Sequence, residues 1–178
     1  MMQTISKTRI LIFGVIITFG ILGAILLGPA VINYFSSPIT INQTIAFNQN
    51  EVQHQAYLGK GWSTPEAWGV WMDGKSAKLT LPLPDQKANE LQLTLQAFLT
   101  PKITSQILNI YINGKDSGVL KIDGGQNVFI GSLKDIDLSK VEFLSIEFRP
   151  MTPIKPKDQG LGDDERLLSI GLISAKYR

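Results

Sequence analysis

The sequence predicts an all-β domain, an antiparallel β-sandwich or jelly roll, preceded by one N-terminal transmembrane helix. Two observations predict the sandwich: apolar and polar residues alternate strictly in several short runs, and turn-forming residues separate these runs. A third predicts the helix, because residues 10–32 contain no charge. We therefore divide the chain into a cytoplasmic N-terminus (1–9), a transmembrane helix (10–34), a linker with a first strand (35–58, strand from about 44) and a β-sandwich domain (59–178).

The uncharged segment is long enough to cross a bilayer. At about 1.5 Å per residue, a helix of this length spans a hydrocarbon core of roughly 30 Å. Lys7 and Arg9 precede the segment and no charge follows before Glu51, so the positive-inside rule keeps the N-terminus cytoplasmic. We expect a single-pass protein of the bacterial inner membrane with a periplasmic C-terminal domain. The alternative is a secretory signal peptide cleaved near Gly28, although its apolar region is usually about 7–15 residues.

Three small residues recur every fourth position in the predicted helix: Gly20, Ala24 and Gly28. On a helix they form a smooth stripe through which transmembrane helices pack closely. We expect this stripe to contact a membrane protein partner as well as the lipid bilayer. The alternative is that the stripe has no partner, because Gly and Ala are common in such helices.

The composition excludes several functions. The sequence has no cysteine, which excludes a disulfide framework, a thiolate metal site and a cysteine nucleophile. An exported domain without disulfides is more typical of bacteria than of small animal secreted modules. Two of the 17 basic residues precede the predicted helix, so those remaining balance the 15 acidic residues. A neutral domain without a basic stripe predicts no nucleic-acid partner.

The alternating runs place the strands. We predict strands near 44–47, 77–83, 91–97, 108–112, 119–122, 144–148 and 167–176. Asn113 and Gly114 predict a tight reversal into the strand near 119–122, with the intervening residues able to lengthen it. Residues 136–141 fit a helical turn.

Two stretches stand out from this pattern. Residues 61–74 contain all three tryptophans of the chain, Trp62, Trp68 and Trp71. Residues 160–172 place a dense cluster of charged residues directly before the last predicted strand.

Together these features resemble a known family. The run GWSTPEAWGVWMDG, the alternating strands, the Asn-Gly turn and the late DERL and IGL runs are similar to a galactose-binding-like β-sandwich domain of bacterial surface-glycan proteins. That domain is appended to membrane-bound glycosyltransferases and to phosphoglycerol-transferase-like proteins. The resemblance covers about residues 59–178 and implies the fold, an extracytoplasmic compartment and a glycan context. No transferase domain accompanies it here, so no transferase activity is carried over.

The two stretches have the residue types of a sugar site. Tryptophan faces stack on sugar rings, while carboxylates and an arginine bond the hydroxyl groups. The candidate ligand-binding residues are Trp62, Glu66, Trp68, Trp71, Asp73, Asp163, Asp164 and Arg166. The structural interpretation, which we favour for Glu66 and Arg166, is that the two form a pair that fixes the tryptophan loop to the last strand. If residues 68–72 form a strand, Trp68 and Trp71 point to opposite faces and one of them belongs to the core.

The sequence gives no convincing catalytic motif. Asp163 and Asp164 are sequence neighbours with diverging side chains, which disfavours hydrolysis by paired carboxylates. The acidic and glycine residues of 160–165 match no calcium-binding loop. The single histidine, His54, is interpreted as a surface residue of the linker. We predict no catalytic residue, no metal site and no cofactor.

Two functional hypotheses remain. The first is a membrane-anchored, extracytoplasmic binding module that engages a glycan or a glycan-assembly enzyme of the cell envelope. The second is a non-catalytic structural subunit that docks onto a larger membrane complex through its helix and its sandwich. An exposed aromatic side chain beside exposed carboxylates in a concave site favours the first hypothesis, and a flat apolar patch continuous with the Gly20 stripe favours the second.

Overall fold

The computed structural model of the protein describes residues 39–178. The predicted transmembrane helix, including Gly20, Ala24 and Gly28, lies outside the described residues. Within residues 39–178, no helix combines the length and the apolar character needed to cross a membrane.

Two antiparallel sheets enclose one apolar core, which confirms the predicted all-β sandwich. The strands are β1 (Ile45–Ala46), β2 (Val70–Trp71), β3 (Ala77–Pro82), β4 (Glu90–Ala97), β5 (Gln106–Ile112), β6 (Lys115–Ile122), β7 (Gln126–Ser132), β8 (Phe143–Pro150) and β9 (Ile170–Tyr177). Three short helical turns accompany them: α1 (Val52–Gln55) and the 3-10 helices Leu138–Lys140 and Lys157–Gln159. The second of these lies within the predicted helical turn.

The last strand organises one of the sheets. The five-stranded sheet has the order β1-β9-β4-β7, and β2 also pairs with β9, next to β1. The four-stranded sheet has the order β3-β8-β5-β6. Because β9 pairs on both of its sides, the charged stretch before it and the tryptophan stretch around β2 meet at one end of the sandwich.

The alternating apolar residues form the core. In β3, β4, β5 and β8 the inward-facing residues are fully buried, and burial of their apolar surface is the main favourable term in folding. These residues are Leu79, Leu81, Leu91, Leu93, Leu95, Leu108, Ile110, Ile112, Leu144, Ile146 and Phe148. The segment before β2 belongs to the same core, since Ile39, Ile45 and Phe47 are also buried in it.

Several strand bounds differ from the prediction. β6 begins immediately after Asn113 and Gly114, whose φ angles of 47° and 77° are those of a two-residue hairpin turn. A register shift beyond Ile110 takes up one extra residue, because Ile110 pairs with Gly118 and Tyr111 with Asp116. The last strand begins at Ile170 rather than at 167, and β7 was not predicted at all.

Candidate functional site

The outer face of the five-stranded sheet is the surface on which the tryptophans lie. Directly opposite residues of neighbouring strands form rows across this face, and the two central rows contain no charged residue. One row is Gln126, Gln96, Gly171 and Trp71, and the next is Val128, Thr94, Ser174 and Ala46. A third row begins with Ile130 and Gln92 and ends on Lys176, which lies at the border of this uncharged area.

Five of the ten uncharged residues in these three rows carry amide or hydroxyl groups. We call Gln92, Thr94, Gln96, Gln126 and Ser174 the polar strip. All five are half-buried or exposed, and within the part of the chain that the structure describes none of their side chains is in a hydrogen bond. Because each amide carries two donors and an acceptor, and each hydroxyl donates and accepts, the strip offers free hydrogen-bonding groups to a ligand.

Three aromatic rings border one end of the polar strip, and we call them the aromatic ledge. Trp68 and Trp71 meet edge to face with ring centroids 4.7 Å apart, and Trp71 meets Phe98 edge to face at 5.9 Å. All three side chains are half-buried. Edge-to-face packing holds the rings rigidly, because it matches the positive edge of one ring to the negative face of another.

A glycine of β9 makes room for the ledge. A Cβ atom added to Gly171 would lie 2.8 Å from Cζ3 of Trp68 and 3.1 Å from Cε3 of Trp71. The distance to Trp68 is too short for a real Cβ contact and the distance to Trp71 is tight, so the indole of Trp68 lies directly on the β9 backbone. This contact explains why Gly171 is buried although it is on the outer face of the sheet.

A hydrogen-bonded chain of charged groups fixes Trp68 from the side. The indole Nε1 of Trp68 donates to Oε2 of Glu66 at 3.0 Å, and Nη1 of Arg166 donates to Oε1 of Glu66 at 3.1 Å. The expected contact between Glu66 and Arg166 is therefore present. The main partner of Arg166, however, is Asp164, which accepts from Nε at 3.0 Å and from Nη2 at 2.7 Å.

The protonation states follow from these contacts. The guanidinium of Arg166 lowers the pKa of Asp164, and the backbone N–H of Arg166 adds to the effect. The carboxylates of Asp164 and Glu66 in turn raise the pKa of Arg166, Asp164 having the larger effect. Asp164 and Arg166 are thus ionised at neutral pH, and their charges face one another rather than the polar strip.

The remaining candidate residues lie apart from the ledge. Trp62 packs against the core, where its ring meets Phe148 edge to face at 5.4 Å and its Nε1 donates to the carbonyl of Lys78 at 2.7 Å. Asp73 accepts a backbone hydrogen bond from Leu167 at 2.8 Å. Asp163 is exposed and makes no ion pair within residues 39–178. The candidates therefore do not form one cluster.

The expectation for the two outer tryptophans was wrong. Trp68 and Trp71 lie on the same side of the sheet and neither is a core residue. The strand begins at Val70, so the chain before it is free to fold Trp68 back over Gly171. The core positions of this segment are Val70 and Met72, both fully buried.

His54 also differs from its interpretation as a surface residue. Its ring lies 5.8 Å from that of Tyr57 in a stacked arrangement, and Nδ1 is 2.8 Å from the carbonyl oxygen of Ala46. Only 11% of its side chain is exposed. In residues 39–178, no group of three or more His, Asp or Glu side chains is arranged to hold a metal ion.

Comparison with known proteins gives fold-level similarity alone. No protein-family model matches the chain, and no curated protein matches it. A family 6 carbohydrate-binding module is 12% identical, with a TM-score of 0.43 over 79% of this chain and 98% of that one. The CBM36-1 domain of a xylanase from the hindgut metagenome of Trinervitermes trinervoides is 12% identical, with a TM-score of 0.39 over 68% and 85%.

A larger protein is similar over one of its parts. A family two carbohydrate esterase from Clostridium thermocellum is 10% identical, with a TM-score of 0.41 over 68% of this chain. The chain spans 30% of the length of that esterase.

Proposed function

We propose that this protein is a non-catalytic glycan-binding module, and that the glycan lies across the polar strip with a sugar ring against the aromatic ledge. One observation carries the proposal: Trp68 and Trp71 meet at the end of the two uncharged rows of the sheet face, where the amides and hydroxyls of the polar strip have no partner within residues 39–178. Sugars present apolar ring faces and hydroxyl groups, and this surface matches both.

The dimensions and charge of the surface fit a neutral oligosaccharide. From β2 to β7 the sheet is four strands wide, which is about 14 Å at the usual strand spacing. The charged network of Glu66, Asp164 and Arg166 is closed on itself, so it supports the ledge and does not bind ligand directly. An acidic sugar would find one cation nearby, Lys176, at the border of the polar strip.

A matched pair of variants tests this site. Thr94 and Thr80 are both half-buried residues on outer faces, but of opposite sheets. Thr94→Lys places a long charged side chain in the polar strip, whereas Thr80→Lys makes the same change on the other side. Titration of the full chain in detergent micelles with soluble β-glucan, xylan and mannan, followed by tryptophan fluorescence, should show binding that Thr94→Lys weakens at least about tenfold.

The control decides the interpretation. Thr80→Lys should bind like the unmodified protein, and Trp71→Ala should lose binding while it keeps a cooperative melt. Equal loss in both lysine variants, or no fluorescence change with any of the neutral polymers, would contradict the proposed site.

We further propose that the module is tethered to the outer side of the bacterial inner membrane through residues 10–34. The support is the sequence: a long uncharged segment preceded by Lys7 and Arg9. A reporter that is active only in the periplasm, fused after Arg178, should be active. Activity of a cytoplasm-only reporter at the same position would overturn this orientation.

A second candidate function is a structural subunit of a larger membrane complex, for example one containing a glycan-assembly enzyme. One observation favours it: the side chains of Trp62, Trp68 and Arg166 all donate hydrogen bonds to other groups of the same chain. These donors therefore serve the structure of the domain. This candidate predicts co-purification of a partner from native membranes in mild detergent. It also predicts that removal of the predicted helix, rather than Thr94→Lys, abolishes that interaction.

A further inference from the structure

The sheet edges of the described domain are protected against pairing, with one exception. Along β3, residues 57–60 cover the edge through bonds such as Thr80 N–H to the Tyr57 carbonyl and Gly59 N–H to the Lys78 carbonyl, 2.9 and 2.8 Å. The edge formed by β1 and β2 is divided into two strands of two residues each. β6 carries Lys115, Asp116 and Lys121. Short strands, covering segments and charges are the usual devices that prevent edge-to-edge association.

β7 has none of these devices. It is seven residues long, contains no charged residue and forms the end of the five-stranded sheet. Val128 and Ile130 on its outer face are each 50% exposed. A long, uncharged edge strand with exposed apolar side chains is the type of edge that pairs with another strand.

The register shows which backbone groups of β7 are free. Glu90 and Arg178 exchange both backbone hydrogen bonds, so the even-numbered residues of β4 bond to β9 and the odd-numbered ones bond to β7. The β7 residues opposite those odd positions are Asn127, Phe129 and Gly131. The N–H and C=O groups of Gln126, Val128, Ile130 and Ser132 therefore point away from β4, toward the open edge.

We propose that β7 pairs antiparallel with β7 of a second copy of this chain, around a two-fold axis at Phe129. In this register Val128 lies opposite Ile130 of the second copy, and Gln126 lies opposite Ser132. Every residue with outward backbone groups then meets another such residue, so the free N–H and C=O groups bond to one another. An isologous interface requires this self-complementarity.

The composition of the strand supports a copy of itself as the occupant. Apolar side chains meet apolar ones and an amide meets a hydroxyl, and no like charges are brought together, which would destabilise the pairing. The two five-stranded sheets join into one, and the outer faces that carry the polar strips become continuous. The pairing of β7 does not depend on glycan binding, so the dimer proposal can fail while the glycan-site proposal holds, and the reverse.

Disulfide trapping tests the register. The sequence has no cysteine, so introduced thiols have no competing partner. Directly opposite residues of such a pair have Cα atoms about 5.5 Å apart, within the range that a disulfide bridges. Mixed in detergent micelles, full chains carrying Val128→Cys and Ile130→Cys should cross-link at least about tenfold faster than either variant alone. Val119→Cys on β6, where Val119 is 61% exposed, is the matched control and should not cross-link.

The native mass tests the interface itself. Light scattering of the full chain in micelles should show a dimer. Val128→Lys with Ile130→Lys should convert it to a monomer, and Val119→Lys should leave the dimer. Val128→Pro should also give a monomer without unfolding, because the N–H that proline removes points away from β4.

Three results would overturn the proposal. One is a monomer at all concentrations, including the case in which β7 binds a strand of another protein. Another is a dimer that persists in the double lysine variant, which would place the contact elsewhere, for example at Gly20, Ala24 and Gly28. The third is equal cross-linking by Val119→Cys.

Discussion

The six-membered ring of the Trp68 indole occupies the space that a side chain at Gly171 would need. A methyl group at Gly171 would lie 2.8 Å from Cζ3 of Trp68, and the indole would have to move. We expect Gly171→Ala to lower the free energy of unfolding by about 1–3 kcal/mol, as overpacking usually does. Thermal melting measures the loss, and tryptophan fluorescence reports the displaced ring.

The same substitution in a Trp68→Leu background separates this contact from other effects. Without the large indole, Gly171→Ala should cost much less, so the two changes should be strongly non-additive. Equal costs in both backgrounds would mean that the methyl group disturbs the β9 backbone rather than the ring above it.

The network of Arg166 should stabilise the domain moderately. The side chains of Arg166 and Glu66 are 35% and 38% exposed, so solvent screens their attraction. Removing one member of the pair therefore destabilises the domain less than it would in a buried pair. We expect Arg166→Ala to lower the free energy of unfolding by about 1–2 kcal/mol. Asp164→Ala should lower it more than Glu66→Ala does, because Asp164 accepts more hydrogen bonds from Arg166. Chemical denaturation of the variants measures these costs.

A double-mutant cycle of Glu66→Ala with Arg166→Ala provides the control. The double variant should lose less than the sum of the single variants, because both remove one interaction. Strictly additive losses would show that the contact contributes nothing to stability.

Acid should weaken the same network. The folded-state pKa of Asp164 is below its unfolded value, so the carboxylate stabilises the fold above that unfolded value, near pH 4, and the contribution disappears as pH falls through the folded pKa. Between about pH 4 and pH 2, the melting temperature should fall more steeply for the unmodified protein than for Asp164→Asn. Parallel curves would mean that folding does not perturb Asp164.

Glycan binding should be insensitive to salt. The two central rows of the proposed site contain no charge, so they offer no charge–charge attraction for salt to screen. Raising NaCl from about 0.05 M to about 0.5 M should change the Kd less than about twofold. A Kd that rises steeply with salt would instead indicate an anionic ligand held by Lys176 or by lysines outside the strip.

Strict alternation was enough to predict the sandwich. In β4 every second residue from Leu91 to Leu95 is buried, and the period of two is visible in the sequence. β7 escaped prediction because Val128, Phe129 and Ile130 form a continuous apolar run, in which only Phe129 faces the core. An edge strand that exposes apolar side chains breaks the pattern on which the prediction depends.

The site was harder to predict than the fold. The contact between Glu66 and Arg166 could be inferred from complementary charge, but the larger role of Asp164 could not. Phe98 was overlooked because it follows the alternating run of β4, and Gly171 because its partner is distant in sequence. The polar strip was visible as Gln92, Thr94 and Gln96, the outward positions of β4, which were treated only as the solvated side of a strand.

The central position of β9 also constrains the order in which the domain can form. β1, β2 and β4 are all synthesised before β9, yet each pairs with it. Until β9 is available, β1 and β2 have no strand to pair with, so the five-stranded sheet is completed only after nearly the whole domain has been made. Contacts between residues so distant in sequence slow folding, which exposes the nascent strands to aggregation for longer than local pairings would.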